Sequence, residues 1–144
     1  MVKEELRSTK MRTLAEGAIF NIVADGPVAT CKVVNRTDVT PEEGARCSRE
    51  MRDVLVDRVL ARGSAYAGFV FDVTNGPHVF GPRTRASLEE LFRTAEAQSK
   101  RVAVRVGPHA VQQLQFKSLC RECAPTQGRV FEDDSANDWA AARI

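Results

Sequence analysis

The spacing of apolar positions changes several times along the chain, and each change marks an element. The runs AIFNIVA and VATCKVV are rich in β-branched and aromatic residues and flank DGP, a turn signal, so they predict a β-hairpin. From TPEEGARC onward the period becomes helical. Cys47, Met51, Val54, Leu55 and Val59 fall on one stripe, Thr40, Pro41 and Glu43 have the layout of a capped start, and Gly63 supplies the stop. YAGFVFDV is apolar at both parities, as suits a central strand covered on both faces. Behind two Gly-Pro pairs, Leu88, Leu91, Phe92 and Ala95 form the next helical stripe. RVAVRV is short and strictly alternating, which predicts a strand near the sheet's margin. GPHAVQQLQFKSLCREC reads as a less regular helix and GRVFED as a last strand. SANDWAAARI reads as a last helix capped by Ser135, with Ala136, Trp139 and Ala140 turned inward.

Strands alternating with helices imply parallel pairing through right-handed crossovers, and the initial hairpin adds one antiparallel pairing. The expected fold is α/β: a mixed, mainly parallel sheet of about five strands with helices packed on it. One domain is expected over residues 16–144, behind a charged, frayed or partly extended lead-in at residues 1–15. A chain of 144 residues suffices for one core, and 43% hydrophobic content suits a globular fold. With 21 basic and 19 acidic residues the net charge is only +2, and no basic patch interleaved with aromatics argues for nucleic acid. No apolar run is long enough to span a bilayer or to act as a signal peptide, so a cytoplasmic protein without membrane insertion is expected.

Candidate chemistry is sparse. Cys31, Cys47, Cys120 and Cys123 are expected as free thiols in that setting. CREC has redox spacing, but it ends a helix, where the dipole disfavours a thiolate. A metal would need ligands beyond Cys120 and Cys123, and Cys31, Cys47, His78 and His109 are scattered over separate elements. His109 and His78 lack an evident nucleophile or orienting partner, Asp25, Asp38 and Asp72 are not paired carboxylates, and neither phosphate-cradling glycine motif occurs. The expectation is therefore a protein without catalytic residues, metal or cofactor.

The stretch FVFDVTNGPHVFG…ASLEELFRTAEAQSKRVAVRVGP, with the order of elements around it, resembles the STAS domain family, which includes bacterial anti-sigma-factor antagonists. Asp72 ends the strand, Leu88 and Leu91 take the family's leucine places, RVAVRV and GP follow in register, and VFEDDSANDWA resembles the family's closing strand, acidic turn and helix. The likeness spans residues 16–144 and lies in pattern and topology. It implies a STAS-like fold and a regulatory, signalling role through protein–protein interaction. In those antagonists an Asp-Ser-(Ser/Thr)-Gly segment carries the phosphorylated serine. Here FGPRTRAS stands in its place, so that residue cannot be carried over, and Thr84 and Ser87 are the nearest candidate phosphoacceptors.

The junction itself supports a contact role. A loop leaving the carboxyl end of a central strand is where partners dock on open α/β sheets. Val79 and Phe80 give it an apolar tip, with Arg83 and Arg85 beside a helix start where a phosphate or an acidic group would be stabilised. The alternative is that Thr84 simply caps the helix and the arginines are solvated. The expected partner-binding residues are Asn75, His78, Phe80, Arg83, Thr84 and Arg85, on a module that binds a protein partner, with homo-oligomerisation left open. Two other readings stay open: a small-molecule or nucleotide-binding domain using the same strand-end cleft, and a thiol redox protein using Cys120 and Cys123.

Overall fold

The computed structural model describes residues 11–36 and 38–141. The strands are β1 (Met11–Glu16), β2 (Phe20–Asp25), β3 (Val28–Val33), β4 (Gly68–Asp72), β5 (Arg101–Arg105) and β6 (Gly128–Phe131). The helices are α1 (Pro41–Val54), α2 (Pro82–Ala97), α3 (Ala110–Cys123) and α4 (Ser135–Ala140). The fold is α/β, with one six-stranded sheet in the order β1-β2-β3-β4-β5-β6. The first three strands form an antiparallel meander, and β3 to β6 run parallel.

Since the strand order never reverses, right-handed crossovers place α1, α2 and α3 on the same face. That face holds the main core: Ile22, Cys31, Phe69, Phe71, Val102 and Val104 meet Met51, Leu55, Leu91, Phe92, Phe116 and Leu119. Phe71 is its aromatic hub, edge-on to Phe69 at 6.4 Å, Phe92 at 6.3 Å and Phe116 at 5.8 Å between centroids. The opposite parity, Val28, Val70 and Ala103, packs under Ala136, Trp139 and Ala140 of α4. Arg101 binds that helix, donating to the Trp139 carbonyl at 2.8 Å with its guanidinium over the indole.

The capped start read for α1 is present. Thr40 Oγ1 accepts from the Glu43 N–H at 3.1 Å and donates to Glu43 Oε1 at 3.2 Å. The helix then widens over Leu55–Val59, where the Leu60 N–H reaches back to the Leu55 carbonyl at 2.8 Å, and Gly63 at φ 84° turns the chain away.

Three sequence expectations are corrected. The lead-in contributes a strand, β1, because Leu14 enters the core and its carbonyl accepts from Arg58 at 3.0 Å, which makes the strands six rather than about five. RVAVRV is interior, flanked by β4 and β6, because α4 covers Ala103 while α2 and α3 cover Val102 and Val104. The last helix is not capped by Ser135. Asp133 Oδ1 accepts both its N–H and its hydroxyl. Among the described residues no helix is long and apolar enough to cross a membrane.

Candidate functional site

The chain leaves β4 through an Asx turn, in which Asp72 Oδ1 accepts the Thr74 N–H at 3.0 Å. Pairing continues for one residue, with the Val73 N–H on the Arg105 carbonyl at 2.9 Å. The segment from Thr74 to Gly81 then runs over the sheet's carboxyl edge to the start of α2. It is exposed at His78, Val79 and Gly81, yet held at several points from beneath.

Two glutamines of α3 do most of the holding. Gln112, fully buried, accepts from the Gly107 N–H at 2.9 Å and donates to the Val73 carbonyl at 2.8 Å and the Pro77 carbonyl at 3.1 Å. Gln115 takes the Phe80 N–H on its carbonyl oxygen and gives its amide to the Phe80 carbonyl, both at 3.2 Å. Elsewhere the Asn75 carbonyl accepts the Asn35 N–H at 2.9 Å, and the His78 ring stacks on His109 with centroids 3.5 Å apart. The loop is therefore anchored by hydrogen bonds at several points while remaining on the surface.

Beside it opens a cleft of about 990 Å³ between the first turns of α1 and α2. Its floor is apolar, with Met51, Phe71, Val73, Leu88 and Phe116, and its rim carries Val34, Val79, Arg83 and Glu42. It is not a switch-point crevice, because the strand order does not reverse. It forms where the segments following β3 and β4 diverge under the two helices.

The expected site residues divide accordingly. Phe80, Arg83 and Thr84 line the cleft. Asn75 and His78 lie on the exposed loop. Phe80 is not an exposed tip: its ring packs 5.1 Å from Phe116, because Gln115 fixes its backbone and the apolar floor lies below. Val79 is the apolar group at the surface, 58% exposed. Arg85 points away from the cleft, into the seam between α2 and α3, pairing with Glu122 at 2.7 Å and Glu89 at 3.2 Å. Thr84 does not cap α2. Pro82 starts the helix with Gly81 as the cap residue, which leaves Thr84 in the first turn. Ser87 is 4% exposed, so its hydroxyl is shielded from a kinase in the folded chain.

The electrostatics of the two walls differ. The first turn of α1 carries Glu42 and Glu43, whereas that of α2 has no acidic residue and no side-chain cap. Arg36 is engaged by Asp38, an ion pair that raises the arginine and lowers the carboxyl relative to their usual ranges. Arg83 is exposed and has no ion pair among the described residues.

The thiols stand apart from this site. Cys120 and Cys123 are buried at the end of α3, and burial pushes the Cys120 thiol up to about 12 and raises Cys123 as well. Cys31 is raised by burial and then by the nearby Asp72. In the native protein at pH 8, Ellman's reagent should therefore react with all four cysteines far more slowly than after denaturation, which a timed thiol titration checks. Among the described residues no group of three or more His, Cys, Asp or Glu side chains is placed to hold a metal ion.

Gln112 and Gln115 were not among the expected site residues. The signal lay in helical spacing: Gln112 falls on the stripe of Phe116, Leu119 and Cys123, and a polar residue on a core stripe must find buried partners. No protein-family model, curated protein or solved structure matches the chain.

Proposed function

We propose that this chain is a non-enzymatic regulatory module that docks a protein partner through the segment after β4 and the first turn of α2. The carrying observation is that the segment is exposed at His78, Val79 and Arg83 while its backbone is fixed by Gln112 and Gln115. A surface ordered before binding loses little conformational entropy in a complex, which is what a recognition loop needs. The resemblance to STAS domains supports the same reading. With Ser87 buried, regulation by phosphorylation falls to Thr84, which lines the open cleft.

The test is affinity purification with the chain as bait, comparing Arg83→Glu and Val79→Asp with Lys32→Glu on the other side of the molecule. Arg83→Glu places a carboxylate at a helix start, which the helix tolerates, so its effect reports on the surface rather than the fold. The expected outcome is a co-purifying protein that the first two variants retain about tenfold less well while Lys32→Glu retains it fully. Equal retention by all the variants would contradict the reading.

A second reading, small-molecule binding, is favoured by the cleft. Its volume of about 990 Å³ lies at the upper end of the range of about 300–1,000 Å³ typical of ligand sites.

A further inference from the structure

Resting on that second reading, we infer that the cleft takes an anionic amphiphile, with its apolar body over the floor and its acid group at Arg83. The floor is built of side chains that hydrate poorly, namely Met51, Phe71, Val73, Leu88 and Phe116. An apolar ligand body there displaces water from both surfaces. Few polar side chains compete for it: Ser48, buried on the α1 wall, already donates its hydroxyl to the Gly44 carbonyl at 3.0 Å.

The head group follows from charge. Arg36 is neutralised by Asp38 and Glu42 is itself a carboxylate, so the α1 side of the mouth attracts no anion. Across the mouth, Arg83 has no ion-pair partner among the described residues, and no acidic residue shares its turn of α2. An anion placed there gains a charge-assisted hydrogen bond, while a cation meets Arg83. A carboxylate and a phosphate monoester share this chemistry, and the probe chosen is dodecanoate.

The experiment is isothermal titration calorimetry of the full chain with dodecanoate and dodecyltrimethylammonium below their micellar concentrations and dodecanol below its solubility limit. Two variants accompany the wild type. Arg83→Glu reverses the charge at the mouth. Gly44→Phe fills the α1 wall, and it is compatible with the fold because a Cβ at Gly44 meets no atom within 4 Å and the position is helical.

The expected result is one dodecanoate per chain, about tenfold weaker binding of dodecanol and of dodecanoate to Arg83→Glu, and none to Gly44→Phe. In the wild type, dodecanoate should shift the methyl resonances of Met51 and Leu88 and leave those of Val23, on the opposite sheet face, unmoved; this reading does not depend on any variant folding. Equal binding of dodecanoate and dodecanol, both lost in Gly44→Phe, would overturn the anionic class while leaving the cleft as a small-molecule site. No binding by any of the three, or binding with shifts away from the cleft, would overturn the inference and the second reading together. Neither outcome touches partner docking, which is read from the rim variants.

Discussion

Replacing Gln112 with leucine lowers stability by about 3 kcal/mol and the melting temperature by roughly 10 °C. Leucine is close in size and suits the stripe it joins, so the loss comes from hydrogen bonding rather than volume. Two backbone groups, the Gly107 N–H and the Pro77 carbonyl, lose their partner together in a region where Gln112 is fully buried, and the Val73 carbonyl keeps only the Gly76 N–H. Each orphaned group costs about 1–3 kcal/mol when no water replaces the partner, and the total sits at the low end because the loop can shift outward. Gln113 is the control. It bonds the Gly107 carbonyl and Glu132 at the surface, so Gln113→Leu should cost less than about 1 kcal/mol. Thermal denaturation followed by circular dichroism measures both, and a Gln112→Leu protein within 1 kcal/mol of wild type would mean that the clamp is not what holds the loop.

Phe71→Ala should be the costliest single truncation, at about 4 kcal/mol. The ring sits near the carboxyl end of β4, contacts three other phenylalanines edge-on and forms part of the cleft floor. Its removal forfeits the transfer energy of a large apolar side chain and three aromatic contacts at once. The new void opens toward the cleft rather than being sealed, so water can enter and the cost stays below the upper limit for a phenylalanine. Urea unfolding should show a lower midpoint with an unchanged slope, since the surface exposed on unfolding hardly changes. A loss under about 2 kcal/mol would contradict the hub role assigned to Phe71.

The parts of this fold that were legible in the sequence are those fixed by local chemistry. Thr40, Pro41 and Glu43 specify a helix start through contacts within one turn, and the β2–β3 hairpin and β4 follow from β-branched and apolar runs. β1 escapes because alternation fails there: the register slips between Thr13 and Ala15, and Leu14 is the only buried side chain described in the strand. RVAVRV reads as marginal because Ala103 is too small to advertise a second covered face, although α4 lies over it. A hydroxyl is a usual cap, so Thr84 reads as one for α2, whereas the Gly81-Pro82 pair begins the helix earlier with no side-chain cap. The clamp could not be read from neighbouring residues, because Gln112 reaches Val73 and Pro77 across 39 and 35 residues of chain. Long-range polar pairing leaves only an indirect trace, a glutamine where a leucine would be expected.

The central claim is that a surface segment is held rigid for recognition by groups beneath it. The measurement that bears on this most directly is the backbone ¹⁵N order parameter of His78, Val79, Phe80, Gly81 and Arg83 in the free protein, compared with β4. The expected result is values near those of the sheet, about 0.85, falling in the Gln112→Leu variant. Values below about 0.6 in the wild-type chain would contradict the account.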